Sequence, residues 1–188
     1  MEKVKFTQMK DGDAEDYSII AASNAKDYDH LADKVLTHLK MLENDYGGFQ
    51  VDRLTHSLQT ATRAYRDGRD HEYVLCALNH HIGHNLAPAN HAEFAATILQ
   101  PFVSEENYWI VKHHGIFQGY YFFEFLGLDK NMREKFIKSP YFESCKEFCE
   151  KYDQSSFDPE YDTLDLEFFI PMVKELFKKP KRSIYLQS

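Results

Sequence analysis

Residues 71–84 read HEYVLCALNHHIGH and carry the clearest structural signal in this chain. The run 73–78 (YVLCAL) is apolar, and an apolar segment of this length without alternation of polar residues favours a central helix over a half-exposed strand. Histidines follow it on both sides of Gly83, a residue type that permits a sharp turn. They are His80, His81 and His84. The stretch therefore predicts a buried helix that ends in a group of imidazoles.

Helical periodicity extends outward from this stretch in both directions, with apolar residues recurring at steps of three and four. We find no long stretch of strand-like alternation and no internal repeat. The predicted helical segments are 28–46, 51–65, 71–82, 91–99, 104–126 with a break at Gly115 or Gly119, 129–137, 140–152, and 164–177 with a bend near Pro171. The pattern predicts an all-α fold, built as a single helical bundle.

The chain has 188 residues, which is enough for one compact domain with its own core. Residues 1–27 are polar and predict an N-terminal leader that is loosely attached. Residues 28–180 form the predicted domain, and residues 181–188 form a predicted C-terminal tail.

Composition limits the classes of partner. The formal net charge is −8, and an acidic surface repels nucleic acid and anionic lipid, so we expect neither as a partner. The three cysteines, an odd and sparse set without a secretory signal, favour a reducing cytoplasm. No apolar run approaches the roughly 20 residues needed to cross a bilayer. A small molecule is the partner we expect, and the sequence does not specify an oligomeric state.

Ten histidines occur in the chain, and several are concentrated around the end of the central helix. Imidazoles packed together are costly to bury unless they bind something. Neutral imidazole is the commonest protein ligand for zinc and also suits iron and nickel. The concentration predicts a metal site, whose candidate ligands are His56, His80, His81, His91, His114 and Asp153.

The spacing of the candidate ligands fits helical hairpins. His56 lies 24 residues before His80, the length of one helix-loop-helix return, so an antiparallel pair of helices could bring the two side chains face to face. Two of the other positions have rivals: His113 competes with His114, and Asp158 competes with Asp153.

The segments 55–61 (THSLQTA) and 80–84 (HHIGH) resemble the pattern of the HD-domain superfamily. That pattern has a first histidine on one helix, a His-Asp pair followed by Ile-Gly on the next, and a distant aspartate. Here the corresponding residues are His56, the pair His80-His81, and Asp153. The resemblance covers roughly residues 28–178 and implies an all-α metal-binding bundle.

The additional histidines His91 and His114 make the layout similar to the HD oxygenases, which comprise diiron phosphonate-cleaving enzymes and, more distantly, myo-inositol oxygenase. The resemblance implies two irons held by four histidines and two aspartates. Tyr46, ten residues before His56, matches a tyrosine that covers the metal in the phosphonate enzymes. We further predict catalytic or substrate contacts for His84, Gln118 and Tyr120, the last two on an apolar pocket wall that includes Gly115.

His81 stands where the family has the aspartate of its His-Asp pair. An aspartate can bridge two ions through two oxygens and supplies negative charge, whereas a neutral imidazole offers a single lone pair. We therefore predict weaker binding of a second metal, a mononuclear site, or a changed metal preference. The alternative is that His81 disables the site, whether it is natural or engineered.

A second departure concerns the substrate. The phosphonate enzymes carry a glutamate and two lysines at positions that correspond here to Phe49, Gln118 and Phe157. Without those lysines the charge-assisted bonds that favour anion binding at these positions are lost. The substitution argues against a phosphonate substrate and is compatible with oxidation of a less charged molecule.

Three functions follow from these observations. The first is an iron-dependent oxygenase that acts on a small organic molecule, holding one or two iron ions, with Mn, Zn or Co as alternative metals. The second is a divalent-metal phosphohydrolase, for which no obvious Lys/Arg cradle is evident among Arg53, Arg63, Arg66, Arg69 and Lys112. The third is a catalytically impaired HD scaffold with a binding role.

Overall fold

A computed structural model of the chain describes residues 2–184. Over this range the chain forms eight α-helices and no strand, which confirms the predicted all-α class. Residues 185–188 of the predicted C-terminal tail lie outside the described residues. No helix in the described part of the chain is both long and apolar enough to cross a membrane.

The eight helices are α1 Ala14–Asp29, α2 Leu31–Lys40, α3 Arg53–Arg66, α4 His71–Asn79, α5 His91–Leu99, α6 Glu105–Gln118, α7 Phe142–Phe148 and α8 Leu166–Leu176. Seven of them, α2 to α8, correspond to predicted segments, whereas the predicted segment 129–137 contains only a 3₁₀ turn. Short 3₁₀ turns over Gly119–Tyr121, Phe123–Leu126 and Met132–Phe136 connect α6 to α7.

The expectation that helical structure begins at Tyr28 is wrong, because α1 already starts at Ala14. Its first turn is closed by Asp13, whose carboxylate accepts hydrogen bonds from the main-chain N–H groups of Glu15 and Asp16. Asp16 is the only buried residue of α1. Because this helix presents almost no apolar face, periodicity could not reveal it.

Helix α4 lies at the centre of the core, as its apolar sequence predicted. Every residue from Tyr73 to Asn79 is buried, and Val74, Ala77 and Leu78 are fully inaccessible. Helix α3 packs against α4, and α5 packs against α6. His56, near the beginning of α3, contacts His80 directly after the end of α4, and His91, at the beginning of α5, contacts His114 near the end of α6. The two helices of each pair are therefore antiparallel and form a hairpin.

Side chains at the helix N-termini fix where these hairpins begin. Asp52 caps α3 by accepting from the N–H of Thr55, and Asp70 caps α4 by accepting from that of Tyr73. Ser104 caps α6 by accepting from the N–H of Asn107. Each cap satisfies an N–H group that would lack a partner in the first turn, so the register of the histidines along their helices is defined.

The chain departs from α-helical geometry at two places near the candidate ligands. Helix α6 continues through Gly115 and ends at Gln118, so of the two predicted breaks the one at Gly119 is correct. Helix α7 passes into a π-helical segment, Cys149–Asp153. Such π turns are rare, and they occur often at functional sites.

Two glycines near the candidate ligands are expected to respond oppositely to alanine. A Cβ at Gly83 would lie 2.7 Å from the carbonyl oxygen of His91 and 2.8 Å from Cβ of Phe94, whereas one at Gly115 would meet no atom within 4 Å. We expect Gly83→Ala to lower the free energy of unfolding by about 1–3 kcal/mol through overpacking. Gly115→Ala should raise it by about 0.5–1 kcal/mol, because alanine favours a helix interior. Urea unfolding of both variants measures the difference; equal effects would contradict the described packing at Gly83.

Candidate metal centre

Each helical hairpin contributes a pair of facing imidazoles. In the α3–α4 hairpin the Nε2 atoms of His56 and His80 are 3.1 Å apart. In the α5–α6 hairpin the Nε2 atoms of His91 and His114 are 3.3 Å apart. The ring centroids of His80 and His114 are separated by 4.9 Å, so the two pairs are adjacent.

Main-chain carbonyl groups orient three of these rings. Nδ1 of His56 lies 2.9 Å from the oxygen of Ser156, Nδ1 of His80 lies 2.6 Å from that of Ala77, and Nδ1 of His114 lies 2.7 Å from that of Val111. A carbonyl oxygen only accepts hydrogen bonds, so each Nδ1 carries the proton. Nε2 is then the unprotonated nitrogen, as in metal-binding histidines held by an outer hydrogen bond.

The facing Nε2 atoms fit a metal ion. Two lone pairs about 3 Å apart repel each other unless a cation lies beside them. Burial lowers the pKa of His80, and it lowers the pKa of His114 to about 3, so neither ring supplies the missing proton at neutral pH. A divalent cation satisfies the arrangement, and the residues present therefore fit a bound metal.

Asp153 supplies the only carboxylate in the two groups of potential ligands found among residues 2–184. It lies at the end of the π-helical segment with 1% of its surface exposed. Its Oδ1 is 3.2 Å from Nε2 of His56 and 3.6 Å from Nε2 of His80. All three of these atoms are hydrogen-bond acceptors when Nδ1 carries the proton of each ring, so a cation among them would satisfy all three. The other oxygen, Oδ2, is buried without a partner and is free to bind an ion.

His81 lies between the two histidine pairs. Its ring centroid is 4.9 Å from that of His56 and 4.7 Å from that of His91. Its Nδ1 is buried and has no hydrogen-bond partner. His81 belongs to two groups of potential ligands, and within each group the donor atoms lie within 4.8 Å of one another. The first group is His56, His80, His81 and Asp153, and the second is His81, His91 and His114. One neutral ring can complete only one of these groups at a time.

The buried imidazoles predict acid sensitivity in the metal-depleted protein. Burial lowers the pKa of His91 to about 4 and that of His114 to about 3, from the ordinary value of 6.5. Because the folded-state pKa values are depressed, the unfolded chain binds more protons below about pH 6.5. The stabilisation is therefore complete above that pH and is lost as the pH falls toward 4. We expect the Tm of metal-depleted protein to fall between pH 7 and pH 5, and a constant Tm by circular dichroism would contradict neutral burial.

The metal centre opens into a cavity of about 980 Å³. The ring of Phe157 stacks on His56 with centroids 4.3 Å apart, and Phe49 stacks on Phe157 at 4.6 Å. His113 stacks on Trp109 at 4.1 Å and meets the edge of Phe136 at 4.6 Å. Aromatic side chains therefore lie against the ligand candidate His56 and against His113.

The remaining site residues predicted from the sequence divide into two groups. His84 and Gln118 line the cavity, and each carries a buried polar atom without a partner, Nδ1 and Oε1 respectively. Tyr46 is 49% exposed and Tyr120 is 38% exposed, and neither lines the cavity. The ring of Tyr120 instead lies 3.7 Å from the guanidinium of Arg133. The structure thus places His84 and Gln118 in the cavity that the candidate metal ligands line, and it leaves the two tyrosines outside that cavity.

The rival ligands are also separated. His113 lines the cavity, but its Nδ1 bonds to the carbonyl of Trp109 and it belongs to neither ligand group. Asp158 is exposed, and its main-chain carbonyl accepts a hydrogen bond from Gln59. Of these rivals, the structure places only His114 and Asp153 in the groups that could hold a metal ion.

Cavity residues that sequence reasoning did not single out include Lys135, which lies on the 3₁₀ turn Met132–Phe136. Lys112 was considered only as one of several cations without a defined position. Both line the cavity beside His113, whose pKa is lowered by burial and then further by these two lysines. Their convergence depends on packing of the 3₁₀ turn against α6, for which the sequence carries no local signal.

Comparison with known proteins does not assign the chain to a family. No family model matches the chain, and a search of curated proteins finds no match.

Proposed function

We propose that this chain is an iron-dependent oxygenase that acts on a small organic molecule. One observation carries the proposal: five imidazoles and one carboxylate lie close together, and all of them except His80 line a large, partly aromatic cavity. The resemblance to HD oxygenases motivates the choice of reaction, and the geometry of the donor atoms supports the choice of a metal.

The donor set favours a first-row transition metal. Imidazole nitrogen suits iron, zinc, copper and nickel, whereas magnesium and calcium prefer sites built of oxygen atoms. Asp153 supplies one negative charge that partly offsets that of the ion. When bound, iron would supply the one-electron chemistry that dioxygen activation requires.

The chain's own residues would bind and orient the substrate. The stacked rings of Phe49 and Phe157 cover His56 and would exclude water from that side of the centre. His84 and Gln118 offer polar atoms that have no partner in the protein, so they are suited to hydrogen-bond a substrate group. An apolar wall with few polar anchors is typical of sites for small molecules.

Oxygen uptake tests the proposed reaction. Protein reconstituted anaerobically with Fe(II) is mixed with a panel of small organic molecules, and consumption of dioxygen is recorded with and without each compound. We expect at least one compound to stimulate uptake, and His80→Ala protein to show none. No stimulated uptake by either the natural chain or a His81→Asp variant would refute the oxygenase.

A divalent-metal phosphohydrolase is the second candidate, and a specific observation favours it. Arg53, Lys112 and Lys135 line the same cavity as the candidate metal ligands. A divalent ion there could lower the pKa of water and clamp phosphate oxygens. Turnover of generic phosphoesters with Mn or Co, without oxygen consumption, would favour this reaction. A purified protein that retains far less than one ion per chain would favour the binding scaffold.

A further inference from the structure

The two sides of the cavity differ in chemical character. The side next to His56 includes the stacked rings of Phe49 and Phe157, neither of which can donate or accept a conventional hydrogen bond. A charged or polyhydroxylated group placed there would lose its hydration without compensation. This aromatic side therefore favours an apolar part of a ligand.

A second side of the cavity, beside His113, carries the side chains of two lysines. Lys112 and Lys135 both line the cavity, and within residues 2–184 neither ammonium forms an ion pair. Their described contacts are with rings, that of Tyr108 at 5.8 Å for Lys112 and that of Phe136 at 4.9 Å for Lys135. By contrast, Arg53 pairs with Asp45 at 2.9 Å.

One carboxylate, that of Glu93, also lines this part of the cavity, so two cations face a single anion. The remaining positive charge favours an anionic group, which a lysine ammonium binds as a point charge. An exposed ion pair contributes little to the free energy of binding. The lysines therefore select a ligand that is negatively charged, and contacts with the aromatic side must provide the rest of the affinity.

Each of these two sides lies near one of the candidate metal ligands. Phe157 contacts His56 in one hairpin, and the lysines flank His113, which is the neighbour of His114 in the other. We propose that the cavity binds an amphipathic organic anion, with its carboxylate-like group on Lys112 and Lys135 and its apolar, ring-bearing body against Phe49 and Phe157. This inference rests on the proposed function, because such a ligand would lie across the metal centre as a substrate.

Trp109 provides a way to observe binding without turnover. It is the only tryptophan of the chain, and its ring stacks on His113 at the cationic side. Three compounds form a matched set. Phenylbutyrate has both the ring and the negative charge, phenylbutanol has only the ring, and butyrate has only the charge. We expect phenylbutyrate to quench or shift Trp109 fluorescence with a Kd about tenfold lower than that of either other compound, because each lacks one contact. Isothermal titration calorimetry checks the same order.

Paired variants locate the two contacts. Replacing Lys112 and Lys135 together by alanine should weaken phenylbutyrate about fivefold or more and leave phenylbutanol unchanged, since only a charge contact is lost. Lys138→Ala, an exposed lysine outside the cavity, is the control. Phe49→Ala should weaken phenylbutyrate and phenylbutanol alike, with Phe125→Ala, 84% exposed and outside the cavity, as its control.

Equal Kd values for the three compounds, or a loss of binding in the control variants as large as in the cavity variants, would overturn the inference. Because binding is read without turnover, this result is independent of the oxygenase assignment. Failure of the oxygen-uptake experiment would overturn the oxygenase alone.

Discussion

Replacing Asp153 with asparagine should remove most of the metal bound by this protein. The carboxylate is buried among imidazoles and is the only anion in either ligand group of the described chain, so its loss removes both a ligand and the charge that offsets the ion. Loss of an outer-shell partner already costs about 10–100-fold in metal affinity, and the loss of a direct ligand should exceed that. Metal content after dialysis and a competition assay with a chelator measure the change.

Asp158→Asn is the matched control for this experiment. Asp158 lies five residues further along the chain and is exposed, so the same chemical change there should leave the metal affinity unaltered. Circular dichroism verifies that both variants are folded. Equal metal affinities for Asp153→Asn and the natural chain would contradict the ligand assignment of Asp153.

Replacing His81 with aspartate should increase the amount of metal bound. His81 lies between the two histidine pairs, and its neutral ring can complete only one group of ligands. A carboxylate at the same position could bridge two ions and reduce their mutual repulsion. We expect the natural chain to retain about one ion and His81→Asp to retain about two, with the affinity for the second ion raised about tenfold or more.

A His81→Asn variant tests whether the negative charge of aspartate, and not its smaller size, recruits the second ion. Asparagine has nearly the shape of aspartate but no negative charge, so it should not recruit a second ion. The two variants and the natural chain are compared by metal titration monitored calorimetrically. If His81→Asn binds as much metal as His81→Asp, or if the natural chain already binds two ions tightly, the explanation based on charge is wrong.

The sequence was sufficient to anticipate the pairing of His56 with His80 because its geometry is local. His56 lies on α3 and His80 directly follows α4, and the short turn between these helices limits where each ring can lie. The choice of His91 and His114, by contrast, came from the family resemblance. The hydrophobic run of α4 likewise identified the centre of the core, because burial on all sides requires an apolar helix.

Other features of the fold and the site could not be predicted from the local sequence pattern. Asp153 was identified through a family pattern, and its approach to His56 follows a π turn that periodicity does not predict. Helix α1 was missed because its stability comes from Asp13 and not from an apolar face. Lys135 reaches the cavity only because a 3₁₀ turn packs against α6, which is a long-range contact. Tyr46, selected by resemblance alone, is half-exposed and outside the cavity.

The decisive measurement is elemental analysis of the purified protein combined with X-ray absorption spectroscopy at the edge of whichever transition metal is found. We predict at least one ion per chain, surrounded by a shell of light atoms at about 2.0–2.2 Å whose outer scattering identifies several imidazole rings. A protein that carries no transition metal after purification and also fails to take one up, or a bound metal without imidazole scattering, would contradict the convergence of His56, His80, His81, His91, His114 and Asp153 on a common centre.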